Sequence, residues 1–140
     1  MPNPILAFAL GFFSHFVLDR IPHIDPNLDT TTEKNFQFTK PVVQTMIIAI
    51  VDTLIVIAMA LYFTSILSAN PLNMICGMIG SILPDYMVGF SVLIKNKYLK
   101  KFEEFHRLCH FDEKKLPIPW YAGSLTQITL FAASVYLLIS

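Results

Sequence analysis

The chain has 140 residues, of which 54% are hydrophobic and only 14% charged, with a mean hydropathy of +0.57. Soluble domains carry about 25% charged residues, so the shortfall lies in the solvating surface and argues against a free soluble globule; twelve Phe and long Leu/Ile runs exclude a disordered chain. Ten Lys and Arg balance ten Asp and Glu, which leaves no electrostatic case for a nucleic-acid partner.

A helix that crosses a bilayer needs about 20 mainly apolar residues. Met1-Pro2-Asn3-Pro4 carries no Lys or Arg, and the first basic residue is Arg20, so the N-terminal apolar run is expected to be retained as structure rather than cleaved as a signal. Ile5 to Leu18 is short and reaches spanning length only by running on through Asp19 and Arg20 toward Pro22. Pro22 to Lys40, with Pro26, Asp29 and Thr30-Thr31-Thr32, reads as loop. Val42 to Ser68 is the plainest span, Asp52 being its one charge. Ser68-Ala69-Asn70-Pro71 is a tight connection to a third span, Pro71 to Ile94. There Pro84-Asp85 predicts a kink or a break, because proline lacks the helical donor and crowds the preceding turn. In Asn96 to Pro119, Phe102, Phe105 and Cys109 recur at helical spacing among Lys100, Lys101, Glu103 and Glu104. That pattern predicts a basic amphipathic helix at the membrane surface, over about residues 97–111. Trp120 to Ile139 is the last span, opened by a Trp-Tyr pair suited to the headgroup level.

The expected architecture is therefore all-α: one integral membrane bundle of four transmembrane helices (about 5–20, 42–68, 71–94 and 120–139) plus the interfacial helix. With four spans, every Lys and Arg falls on one face: Arg20, Lys34, Lys40, Lys95, Lys97, Lys100, Lys101, Arg107, Lys114 and Lys115. Positive loops stay in the cytoplasm. Both termini are then expected outside a cytoplasmic (inner) membrane. Gly77-x2-Gly80 and Ala132-Ala133-Ser134 are suited to close helix contacts within the chain or in a homo-oligomer. Cys76 and Cys109 match no CxxC spacing and read as small apolar residues.

All four histidines fall toward the basic face. His15 and Asp19 sit four residues apart on one helical face, a natural geometry for two ligands of one ion. His23 follows Pro22 where that helix should end. His106 and His110 repeat the same spacing in the amphipathic segment. At about 1.5 Å per residue, His15, Asp52 and Asp85 all fall near mid-membrane, compatible with one inward-opening pocket. Ionisable groups there are costly, at about 2.5–3.5 kcal/mol for an Asp on insertion scales. Neutral imidazoles with carboxylates suit zinc, manganese or iron, and a catalytic zinc keeps an open position for water. Asp52 or Asp85, left off the metal, can serve as general base. The plainer alternatives are Asp85 as N-cap of a half-helix after the break, Asp52 as packing glue with His15 or Thr53, and His106/His110 as a solvated face. Serine-hydrolase, NTPase and dinucleotide motifs are absent from the sequence.

Three phrases carry a resemblance: Gly11-Phe12-Phe13-Ser14-His15-Phe16-Val17-Leu18-Asp19 with Pro22-His23; Ser81-Ile82-Leu83-Pro84-Asp85; and His106-Arg107-Leu108-Cys109-His110. Together they resemble the motifs of the YdjM-type family of small inner-membrane proteins, described as membrane-bound metal-dependent hydrolases. The first is also similar to the zinc-ligand helix of bacterial zinc-dependent phospholipases C. The resemblance implies His15, Asp19, Asp85, His106 and His110 as metal-site positions. The chain departs from the YdjM pattern at Tyr86 and Met87, where that pattern has a second Asp and a His, and in the spacing and order of the other phrases. These departures leave the number of ions open.

The expected activity is hydrolysis of an ester or phosphoester in a lipid-like substrate, approached from the cytoplasmic side of the bilayer. His15, Asp19 and His106 or His110 would hold a divalent transition metal, zinc first among the candidates. Asp85 would ligate or act as base, and Arg107 would pair with a substrate phosphate. Two alternatives remain: a proton- or ion-coupled carrier relaying through Asp52, Asp85 and His15, and a noncatalytic scaffold using the Phe-rich amphipathic segment.

Overall fold

The computed structural model describes residues 3–23, 40–67, 70–94, 96–111 and 117–139. Among them it has five helices: α1 (Pro4–Asp19), α2 (Lys40–Leu67), α3 (Pro71–Leu93), α4 (Lys97–Cys109) and α5 (Trp120–Ile139). The expected loop at 24–39, the turn residues Ser68 and Ala69, and the basic residues Lys34, Lys95, Lys114 and Lys115 lie outside the described residues. The chain is all-α over what is described, with α4 where the amphipathic pattern places it. Two helices are long and apolar enough to cross a membrane, over Ala49–Ile66 and Pro71–Ser91, and Pro4–Asp19 is a shorter apolar helix.

Asparagine starts three of these helices. Asn3 Oδ1 accepts from the Ile5 and Leu6 amides at 2.8 and 3.4 Å, Asn70 Oδ1 from those of Leu72 and Asn73 at 3.0 and 3.3 Å, and Asn96 Oδ1 from Tyr98 at 2.8 Å. In α1 and α3 a proline follows the cap, where its fixed φ suits the first turn and its missing donor costs nothing.

The third helix corrects one expectation. It runs unbroken from Pro71 to Leu93 with Pro84 inside it. Asp85 is thus a mid-helix residue, not the cap of a half-helix. Pro84 is the one large side chain fully buried among the described residues. Packing around the ring holds a helix whose Gly80 carbonyl has lost its usual donor.

Helix α1 packs chiefly on α3, and the contact is backbone against backbone. A Cβ on Gly11 would overlap the Gly77 carbonyl, and one on Gly80 would overlap the Phe8 carbonyl, whereas one on Gly77 would sit 3.6 Å from the Ala7 carbonyl. Low numbers meet low numbers, so the two helices run parallel, each residue of α1 level with one about 70 positions later. Parallel neighbours require α2 to return the chain between them. Ring and hydrogen-bond contacts set α4 across the C-terminal end of this pair: Phe16 meets Phe102 and Phe105 at centroid distances of 6.3 and 5.4 Å, and Ser91 Oγ donates to Glu103 at 2.7 Å. Ala132, Ala133 and Ser134 are exposed on α5, which makes no extended contact with the other helices among the described residues.

Burial is inverted relative to a soluble domain. Among the described residues the buried hydrophobic side chains are Ala7 and Phe63, while His15, Asn73 and His106 are buried polar ones. Leu61, Leu125, Ile128 and Leu137 stand at least 64% exposed.

The glycine contacts make a graded prediction for thermal unfolding in detergent. Gly11→Ala and Gly80→Ala should each destabilise by about 1–3 kcal/mol, because backbone cannot step aside as a side chain can. Gly77→Ala and Gly89→Ala should be nearly neutral, since the added methyl meets ordinary van der Waals contact at the first and nothing within 4 Å at the second.

Candidate metal centre

The register between α1 and α3 puts His15 level with Asp85. One turn further along α1 comes Asp19, on the same face, and α4 brings His106 down onto the pair. His15 Nε2 lies 3.0 Å from His106 Nε2, 3.0 Å from Asp19 Oδ2 and 3.5 Å from Asp85 Oδ1. His106 Nε2 lies 3.3 Å from Asp19 Oδ2 and 3.4 Å from Asp85 Oδ1. A tetrahedral ion with ligands at about 2.0–2.1 Å has ligand-to-ligand edges of about 3.3–3.4 Å. These five edges, from three helices, bracket that value.

The electrostatics of the four groups point the same way. Asp19 Oδ2 is buried and has no aligned hydrogen-bond partner, although two ring nitrogens are within 3.3 Å. His15 and His106 turn their Nε2 atoms toward each other and toward this oxygen, an arrangement that a cation among them would satisfy. Burial opposes charge on His106, yet the carboxylates of Asp19 and Asp85 beside it outweigh that and hold the imidazole up at about 9. His15, Asp19 and His106 are buried or nearly so, while Asp85 is 67% exposed and forms the open corner.

Aromatic rings close the other side. Phe16 stands edge-on to His15 at 5.4 Å and to His106 at 5.8 Å, and it reaches across to the apolar face of α4. A second set adjoins the first: ligand atoms of Asp19, His23 and His110 also lie within 4.8 Å of one another. The Phe111 amide donates to the Asp19 carbonyl at 2.8 Å and the Arg20 guanidinium to the Leu108 carbonyl at 3.0 Å. These two bonds lash the end of α4 to the end of α1.

Of the residues singled out in the sequence, the structure thus brings together His15, Asp19, His23, Asp85, His106 and His110. It does not bring Asp52 or Arg107 into either group. Asp52 is exposed on α2, where its neighbour Thr53 meets the Tyr86 hydroxyl at 3.0 Å, and Arg107 is exposed on α4. Arg20, which sequence reasoning counted only as a charge, bridges two helix ends. Its signal was its place immediately after Asp19. On the adjoining face of α1, Phe16, Val17, Arg20, Ile21, Leu108 and Cys109 line an open, mostly apolar crevice of about 540 Å³.

Comparison with family models, with curated proteins and with solved structures finds no match to this chain.

Cation binding at the first set should be proton-linked. Below pH about 9 the His106 ring carries a proton that an ion must displace, so apparent affinity should climb as pH rises and level off above that value. Calorimetric titration with Zn²⁺ between pH 6 and 8 should show affinity increasing up to about tenfold per unit, with about one proton released per ion. Affinity independent of pH would contradict this ligand assignment.

Proposed function

We propose that this chain is a multi-pass protein of the cytoplasmic membrane that hydrolyses an ester or phosphoester of a lipid-like substrate with the help of a divalent transition-metal ion, zinc before manganese or iron. The observation that carries the reading is the set of 3.0–3.5 Å separations among His15, Asp19, Asp85 and His106. Two imidazoles and a buried carboxylate are a donor set that suits zinc, with a fourth corner that is accessible. The phrases shared with the YdjM-type family fall on these same residues. Membrane residence is supported by the two helices of spanning length, by exposed leucines and isoleucines over a polar interior, and by the placement of all the basic residues on one side of a four-span chain.

A divalent cation held there supplies polarisation of the ester or phosphoryl oxygen and an activated water near neutral pH. The chain's own residues do the rest. His15, Asp19 and His106 would hold the cation from buried or nearly buried positions. Asp85, on the exposed rim, is placed to take a proton from water or to complete the grip between turnovers. Phe16 keeps bulk water from the ring side of the cluster. The exposed Lys97, Lys100 and Lys101 on α4 draw anionic headgroups toward the surface, and Arg107 is available to a substrate phosphate. The crevice beside the site, apolar with one guanidinium, has the make-up to receive an acyl chain and its charged head.

Elemental analysis of the detergent-purified protein beside His15→Ala tests the reading directly. Wild type should carry stoichiometric transition metal, and the variant should lose it with an affinity drop of at least about 100-fold. Asp85→Asn should keep most of the metal but lose about 10²–10⁴-fold in hydrolysis of phospholipid or acyl-ester vesicles. Metal-free protein showing ion flux dependent on Asp52 would instead favour a carrier.

A further inference from the structure

The two ligand groups share Asp19. We propose that this carboxylate is common to two cations, the second held by Asp19, His23 and His110, so that the centre is dinuclear. The inference rests on the reading of the first group as a cation site and extends it to residues that group does not use.

Three observations carry it. First, the two groups are contiguous but separate in their other members: His15, Asp85 and His106 belong to one, His23 and His110 to the other. A carboxylate has two oxygens and bridges ions readily, and Oδ2 of Asp19 is already engaged with the rings of His15 and His106. Second, both histidines of the second group are held by backbone. His23 Nδ1 donates to the Ile21 carbonyl at 2.7 Å, and His110 Nδ1 donates to the Phe111 carbonyl at 3.1 Å. Each Nδ1–H is thereby fixed by a carbonyl, which is the way backbone orients metal-ligating histidines. Third, the chain is fastened where this group forms. Pro22 ends the run after α1 and turns His23 back, the Phe111-to-Asp19 backbone bond fixes the residue after His110, and the two rings lie 4.8 Å apart. His106 on α4 and His110 at its C-cap, with ring centroids 5.8 Å apart, then fall one into each group.

The arrangement commits the second cation to a mixed imidazole and carboxylate shell of the zinc or manganese type, half-buried at all three ligands. A phosphoester is the substrate class such a pair favours, because two adjacent cations can stabilise the attacking and the leaving oxygen together.

The full-length chain, purified in detergent, stripped with chelator and titrated with Zn²⁺ or Mn²⁺ alone, decides the matter. Wild type should take up two ions per chain, and the Mn²⁺ form should give the spin-coupled resonance of a manganese pair. His110→Gln, and separately His23→Gln, should bind one ion and give the six-line signal of isolated Mn²⁺, with helix content unchanged by circular dichroism. Asp19→Asn should weaken both steps. A single ion in wild type that is lost in His15→Ala but kept in His110→Gln would overturn the second site and leave the first standing. No ion in wild type would overturn both.

Discussion

The cluster of His15, Asp19, Asp85 and His106 depends on how closely α1 and α3 approach. Gly11 and Gly80 let one backbone rest on the other, and that contact fixes both the spacing and the level of the two helices. Once the level is fixed, His15 has Asp85 beside it and Asp19 follows one turn on. A bulkier residue at either glycine would leave the three groups on helices too far apart to share an ion. Small residues here determine chemistry, not only packing.

The centre is also graded from closed to open. His15, Asp19 and His106 are shielded by the Phe16 ring and by the seam between α1 and α4, whereas Asp85 stands in the open. Three of the four clustered groups are thus shielded from water, and the fourth is not. Arg20 and the Phe111 amide lash the end of α4 to the end of α1, so that α4 sets His106 against the α1 and α3 pair.

Much of this was legible in the sequence, for reasons specific to the residues. His15 and Asp19 share a helical face by spacing alone, and counting rise per residue put His15 and Asp85 at similar depth; His110, expected inside the amphipathic helix, is instead the extended residue that caps α4. Long apolar runs located the helices to within a few residues. Three features were not legible. Pro84 signals a break on local grounds, and only the tertiary packing that buries it keeps α3 whole. Asp52 and Asp85 each lie within a long apolar helix, and nothing local says that one joins the cluster and the other does not. The parallel register of α1 and α3 was the third, because it is a property of two helices together.

The ligands of the first group come from opposite ends of the chain, His15 and His106 being 91 residues apart. At ribosomal speeds of about 5–20 residues per second, the early imidazole and carboxylate wait about 5–20 s for the late one. During that interval a nascent α1 carries two polar groups whose final neighbours do not yet exist. The cluster is therefore completed only once α4 has been made, and a chain truncated before α4 would carry His15, Asp19 and Asp85 without His106.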